Sequence, residues 1–240
     1  KNKVLKLTGN GEDIVNGVYI IREGQEINTF YMSKSAGVDP TTGEQLYWAY
    51  EKNADGSMKP GSEYVTNDAT VAASCKYLQG SRIPDIYGSI SSSLKFRGFD
   101  LGLLFTYSLG GKIYDSIYNA LMEPSFVGQT YHRNALRTWT APGQRTDVPR
   151  TTTTASTQIT DRYLIDASYF AVKNISLGYS LPKQLLGKVG IESLRIYLAA
   201  DSPWIFTHLK GMNPQASFTG STSYSYTPNR TFTLGVDLKF

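Results

Sequence analysis

The sequence predicts an all-β chain built like the wall of a large antiparallel transmembrane β-barrel, with long loops at one end and short turns at the other. Three observations predict it. Residues 231–240 alternate without a miss: Phe232, Leu234, Val236, Leu238 and Phe240 take one face, and Thr231, Thr233, Gly235, Asp237 and Lys239 take the other. Two long alternating runs, Ile86–Phe96 and Phe99–Leu109, are separated only by Arg97-Gly98, the signature of a tight hairpin with glycine at a positive φ. The connections alternate in length and the aromatics sort by depth. Phe96, Phe99, Tyr179 and Phe240 lie at the short-turn end, and Tyr107, Phe170, Trp204, Phe206 and Phe232 at the other. Two such girdles, about 25 Å apart, bound a lipid-facing band.

The strands are expected in this order. Residues 4–7 end a first strand and residues 45–52 form a short one. The 86–96 and 99–109 runs pair so that Phe96 faces Phe99, Leu94 faces Leu101 and Ile90 faces Phe105, which brings both apolar faces together. In 169–181 the phase changes between Val172 and Ile175, which a β-bulge near Lys173-Asn174 reconciles. Residues 194–206 alternate as far as Phe206, with Pro203 limiting ladder bonding. Residues 231–240 close the series. Residues 9–84, 112–166 and 207–230 are expected to be long loops.

Composition fits strands and turns. The 240 residues include 17 Tyr and 22 Gly, and only 18% are charged. The formal charge of +4 is spread along the chain, with no basic run of the kind that binds nucleic acid. Cys75 is the single cysteine, so no internal disulfide forms. No apolar run approaches the ~18 residues of a transmembrane helix, which leaves a barrel open. The N-terminal residues are too polar for a signal peptide, so for an exported protein the N-terminal part is expected to be missing from this chain.

No catalytic or metal-binding motif stands out, and no cofactor is expected. His132 and His208 are far apart and belong to no metal-protease or hydrolase motif. Gly110-Gly111-Lys112 lacks the rest of a phosphate loop, and Asn53-Ala54-Asp55-Gly56 lacks the later Glu of a calcium loop. Asp115, Glu123, Asp147 and Asp161 are read as solvated loop charges. The aromatics Trp48, Tyr114, Tyr118, Tyr131 and Trp139 are candidate solute or partner contacts, because rings stack on sugar faces and peptide side chains. They equally suit packing between loops. Tyr87, Lys95, Arg97, Asp100 and Arg195 fall on the polar side of the strands and form a lumenal wall.

At these residues the chain resembles the C-terminal part of the SusC/RagA-type TonB-dependent outer-membrane transporters of Bacteroidetes. Residues 36–44 (AGVDPTTGE) resemble a family loop, and 82–101 (RIPDIYGSISSSLKFRGFDL) a family hairpin. Residues 169–182 (YFAVKNISLGYSLP), 194–206 and 230–240 (RTFTLGVDLKF) are similar to the family's last strands. Asp201-Ser202-Pro203-Trp204 departs from the family's Gln-Asn-Leu-Phe and is expected to alter that strand locally. The resemblance implies a non-enzymatic transporter with a plug domain, absent here, and a barrel of about 22 strands. It further implies a location in the Gram-negative outer membrane, a SusD-like surface lipoprotein as partner, and TonB–ExbB–ExbD as energy source. The solute would be an oligosaccharide or oligopeptide. The plug and the remainder of the barrel would contact this chain, outer-membrane lipid would bathe it, and Phe240 would serve as assembly signal. Two alternatives are a soluble β-sandwich that binds surface glycans and a secreted hydrolase. A sandwich would have to bury Leu101, Leu103, Phe105, Leu234 and Val236.

Overall fold

The computed structural model describes residues 2–122, 128, 130–151, 158–186, 190–209, 213–215, 220–221 and 227–240. Glu123 and much of 207–230 lie outside them. The described chain is mostly β. Its strands are β1 (Ile14–Asn16), β2 (Tyr19–Ile21), β3 (Thr29–Met32), β4 (Lys34–Val38), β5 (Gln45–Ala49), β6 (Tyr64–Thr66), β7 (Tyr77–Ser81), β8 (Ile86–Phe96), β9 (Phe99–Leu109), β10 (Lys112–Tyr114), β11 (Leu164–Asp166), β12 (Tyr169–Ser180), β13 (Ser193–Thr207) and β14 (Thr231–Lys239). The α-helices are short: α1 (Ala69–Ser74), α2 (Ser116–Met122) and α3 (Lys183–Leu186).

The chain divides into two compact units. The second unit (Pro84–Gly111, Asp166–Ala216, Ser225–Phe240) holds one five-stranded sheet in the order β14-β13-β12-β9-β8. Its pairings are antiparallel and its strands lie in chain order, with β10 and β11 intervening in sequence between β9 and β12. Phe96 opposes Phe99, Leu94 opposes Leu101 and Ile90 opposes Phe105. Gly98 has φ +89° and Arg97 φ +48°, so both turn residues are left-handed, as a turn matching the strand twist requires. The register of β12 shifts between Val172 and Asn174 against both neighbours. Opposite this, Asp201 pairs with Asn174 and Trp204 with Val172, leaving Ser202 (φ +50°) and Pro203 as the irregular residues of β13. The bulge absorbs the proline and the strand runs on to Thr207. The sheet is open: among the described residues β8 and β14 each have one partner, and no barrel closes.

The first unit (Lys1–Ile83, Lys112–Ile165, Ser217–Tyr224) is built from short strands. They form a four-stranded sheet β1-β2-β3-β7, a three-stranded sheet β4-β5-β6 and the pair β10-β11. The expectation of long loops at 9–84 and 112–166 is therefore corrected. These segments fold, and they hold the main hydrophobic clusters of the described chain. Phe30, Met32, Tyr114, Met122, Val148 and Tyr163 form one cluster, and Ala49, Tyr50 and Cys75 the other. Strands of three to five residues are too short to show an alternation, which is why sequence periodicity misses them. Residues 4–7 are also corrected: they form no strand. Val4 instead exchanges two backbone hydrogen bonds with Gly24 and Gln25 (2.9 and 2.8 Å), too few to make a ladder. The strand expected at 45–52 stops at Ala49, and Lys52 makes only an isolated bridge to Met58.

Candidate functional site

The second unit offers a two-faced wall. On one face Phe232 is 73%, Leu234 71% and Val236 60% exposed, continuous with exposed Leu198, Ile196, Leu177, Ile90 and Leu94. Neighbouring strands align these side chains directly: Leu234 opposes Leu198, and Leu177 opposes both Leu198 and Leu101. An apolar surface running across five strands, far beyond a scattered residue or two, marks a face that something apolar covers. Rings border it at both ends. Phe105, Phe170 and Phe206 form a chain with centroids 5.7 and 6.3 Å apart, and Phe99 sits 4.5 Å from Tyr179 near the hairpin turn. Phe240 is exposed just beyond β14.

The opposite face is polar and is tied across its strands. Arg195 of β13 donates from Nε and Nη2 to both carboxylate oxygens of Asp100 on β9 (2.9 and 2.7 Å), and from Nη1 to Asp237 on β14 (3.0 Å). The bidentate fork is the strongest form of this contact. β12 lies between β9 and β13, so the pair must cross it, and it crosses at Gly178. A Cβ there would stand 2.5 Å from Asp100 Oδ1 and 2.6 Å from Arg195 Nη2. A glycine inside a strand here marks a close approach. The Arg195–Asp237 contact is a cross-strand neighbour pair legible from the register. The role of Gly178 is not, because it needs a three-strand alignment.

The first unit organises the aromatics singled out in the sequence. Trp139 donates its indole N–H to the Pro40 carbonyl (2.9 Å) and covers Gly43, where a Cβ would clash with the indole ring. Gly43 has φ +73°, so the tight β4–β5 connection needs glycine on both counts. Asp39 shapes the same turn by accepting from the Thr41 amide (2.7 Å) and the Thr42 hydroxyl (3.1 Å). The Thr41 amide hydrogen bond foremost holds the Asp39 carboxyl below the usual carboxylate range. Arg150 adds a backbone bond to Gly43 (2.8 Å) and an ion pair with Glu44 (2.9 Å). Residues 39–44 and 138–150 are thus clamped together, and Trp139 is the clamp.

The other aromatics separate by environment. Tyr114 is buried in the core and its hydroxyl accepts from Asn119. Tyr118 packs edge-on against His132 (5.0 Å) and Tyr163 (5.8 Å), and its hydroxyl accepts from Asn134. Trp48 is half-buried, with the Lys34 ammonium 5.4 Å from its ring and equally 5.4 Å from Tyr77. Tyr131 is exposed. The structure brings Tyr114, Tyr118 and His132 into one cluster and leaves Trp48 and Trp139 elsewhere. Burial pushes the nearby Tyr50 hydroxyl up to about 12. Of the proposed loop carboxylates, Asp147 pairs with Arg137 and Asp161 caps Ser35, while Asp115 accepts from the Tyr118 amide. No group of three or more His, Cys, Asp or Glu converges as a metal site among the described residues.

An open antiparallel wall with one exposed apolar face and one ion-paired polar face is the setting for the comparisons with known proteins. No protein-family model matches the chain. The TonB-dependent receptor P3 of Formosa agariphila is 29% identical over 264 residues, spanning all of this chain and 26% of that protein. The TonB-dependent receptor SusC of Bacteroides thetaiotaomicron is 24% identical over 248 residues, spanning 100% of this chain and 23% of the relative. Among solved structures, the RagAB peptide importer in the closed-closed state superposes with a TM-score of 0.83 and 26% identity, over 99% of this chain and 26% of that one. The chain spans about a quarter of the length of these relatives. Along its whole length it is similar to these TonB-dependent receptors and to the RagAB importer.

Proposed function

We propose that the chain is the C-terminal part of the barrel of a TonB-dependent transporter in the outer membrane of a Gram-negative Bacteroidetes bacterium. The observation that carries this reading is the exposed apolar face of the five-stranded sheet. Leu234 and Val236, which a soluble sandwich would bury, are among its most open side chains. Lipid covers such a face at no cost in unpaired backbone groups, provided the sheet closes. The rest of the same barrel would pair with the free edges of β8 and β14, and the plug would fill the lumen against the polar face.

In this reading the wall performs no bond chemistry. Arg195, Asp100 and Asp237 tie three strands of the wall together. In the first unit Trp48, Tyr118 and Tyr131 present ring surface as solute or partner contacts; Tyr114 and Trp139 hold that unit together. A SusD-like lipoprotein is the proposed surface partner and TonB–ExbB–ExbD the energy source. The RagAB structures that the chain matches are described as those of a peptide importer, which supports an oligopeptide ahead of an oligosaccharide as solute. Phe240, on one face with Val236 and Leu238, is the proposed assembly signal. Its deletion should lower the amount of folded barrel in the membrane far more than it lowers synthesis.

Cell fractionation tests the reading. The protein should sediment with the outer membrane, resist a urea wash and need detergent for extraction. Recovery of this chain as a stable, detergent-free monomer with a cooperative melt would overturn it.

A further inference from the structure

The two faces of β14 differ in what they can tell β13 about register. On the apolar face Leu194, Ile196, Leu198 and Ala200 of β13 oppose Leu238, Val236, Leu234 and Phe232. All of these positions are apolar, so sliding β14 by two residues still sets apolar against apolar. A slide by one residue turns the whole face over and is rejected by the cover that face needs. Slides by two residues, about 7 Å along the strand, are left for the polar face to reject.

The polar face is not uniform. Tyr197 opposes Gly235 and Arg195 opposes Asp237. The Tyr197 ring lies over Gly235, where a Cβ would clash with it. Gly235 is the one residue of β14 that is not exposed. Its φ is not left-handed, so glycine serves space here and not backbone conformation. The Arg195 guanidinium lies 4.8 Å from the centre of the Tyr197 ring and reaches Asp237 at 3.0 Å. One slide by two residues would set Arg195 against Lys239 and Tyr197 against Asp237. The other would set Arg195 against Gly235 and Tyr197 against Thr233. The first opposes like charges, and both take the glycine from beneath the ring.

We infer that Tyr197 and Arg195 select the register of the C-terminal strand. The apolar face brings β14 to the wall, and the glycine and aspartate on its other face place it. This goes beyond Phe240 as assembly signal, which would recruit the strand without setting its pairing. It rests on the barrel reading for the demand that the apolar side stay outward.

Disulfide trapping in outer membranes, with the full transporter in a cysteine-free background, reads the register. Thr231→Cys should join Asp201→Cys, its direct partner, and should join Ala199→Cys only after a slide of two residues. The variant Thr233→Gly/Gly235→Asp/Asp237→Thr moves the glycine and the aspartate two positions toward Thr231. It should shift the ratio of the two disulfides about tenfold toward the Ala199→Cys product. Tyr197→Ala/Asp237→Asn removes both contacts without adding bulk and should shift the ratio about threefold in the same direction. This second variant decides the matter if the first does not fold, which heat-dependent gel mobility reports. Leu198→Val, on the apolar face, should leave the ratio unchanged. A wild-type ratio in the folded register variants overturns the inference and leaves the register to other contacts. A protein absent from the outer membrane fails the barrel reading, and the inference with it, whereas a wild-type ratio in an inserted barrel fails the inference alone.

Discussion

The two units obey the same chemistry at different ranges. In the second, five strands of 9 to 15 residues pair in chain order, and one face stays apolar from edge to edge. In the first, strands of three to five residues are held by contacts from far along the chain. The Ser35 amide donates to Asp161, 126 residues away, and Trp139 reaches Pro40 across 99. The wall is thus a periodic object whose stability depends on what covers its apolar face. The other unit carries its own core and depends on particular long-range clamps.

The largest effect should separate these two modes. Leu234→Arg places a charge in the middle of the apolar face and should cost about 2–4 kcal/mol in a bilayer. Thr233→Arg, one residue away on the polar face, should cost much less. Were this face open to water, an exposed position like Leu234 would tolerate the change within about 0.5 kcal/mol. Urea titration of the folded transporter in lipid vesicles measures both.

Gly178→Val comes next. Its side chain would enter the space of the Asp100–Arg195 pair, and overpacking of this kind costs about 1–3 kcal/mol. The same titration should show that Gly178→Val and Asp100→Asn are less than additive, because both remove one contact.

In the first unit, Gly43→Ala should cost about 1–2 kcal/mol for its left-handed backbone, beyond any displacement of Trp139. Hydrogen exchange should rise in residues 39–44 and 138–150 while β8, β9, β12, β13 and β14 keep their protection. Loss of protection in the wall as well would mean that the clamp supports more than its own unit.

The smallest effect is that of pH on the Asp39 turn. The folded carboxyl lies below its unfolded value, so its contribution is complete above the usual carboxylate range, about pH 4. It is lost as pH falls through the depressed value. Protection of the Gly43 amide, which donates to the Asp39 carbonyl, should fall in acid, and Asp39→Asn should flatten that dependence.

The contrast also explains what the sequence disclosed. The 96–99 hairpin was legible because two alternating runs and a two-residue turn agree on one register. The bulge at Lys173 was legible because the apolar phase changes there and nothing else reconciles it. The folding of 9–84 and 112–166 was not, since three-residue strands carry no period and their partners are remote. The aromatics were found as a set but not by role: nothing local separates Tyr114, in a core, from Tyr131, on a surface. Trp139 needed Gly43 beneath it to be recognised as a clamp.

The central claim is that the Leu234 face meets lipid and the Thr233 face meets water. Spin labels at Leu234 and Thr233 of the membrane-embedded protein test it directly, read by collision with oxygen and with a water-soluble nickel complex. A lipid-facing Leu234 label should collide readily with oxygen and hardly with nickel, and the Thr233 label should show the reverse. Equal nickel accessibility at both sites, or little collision with either reagent at Leu234, would contradict the account.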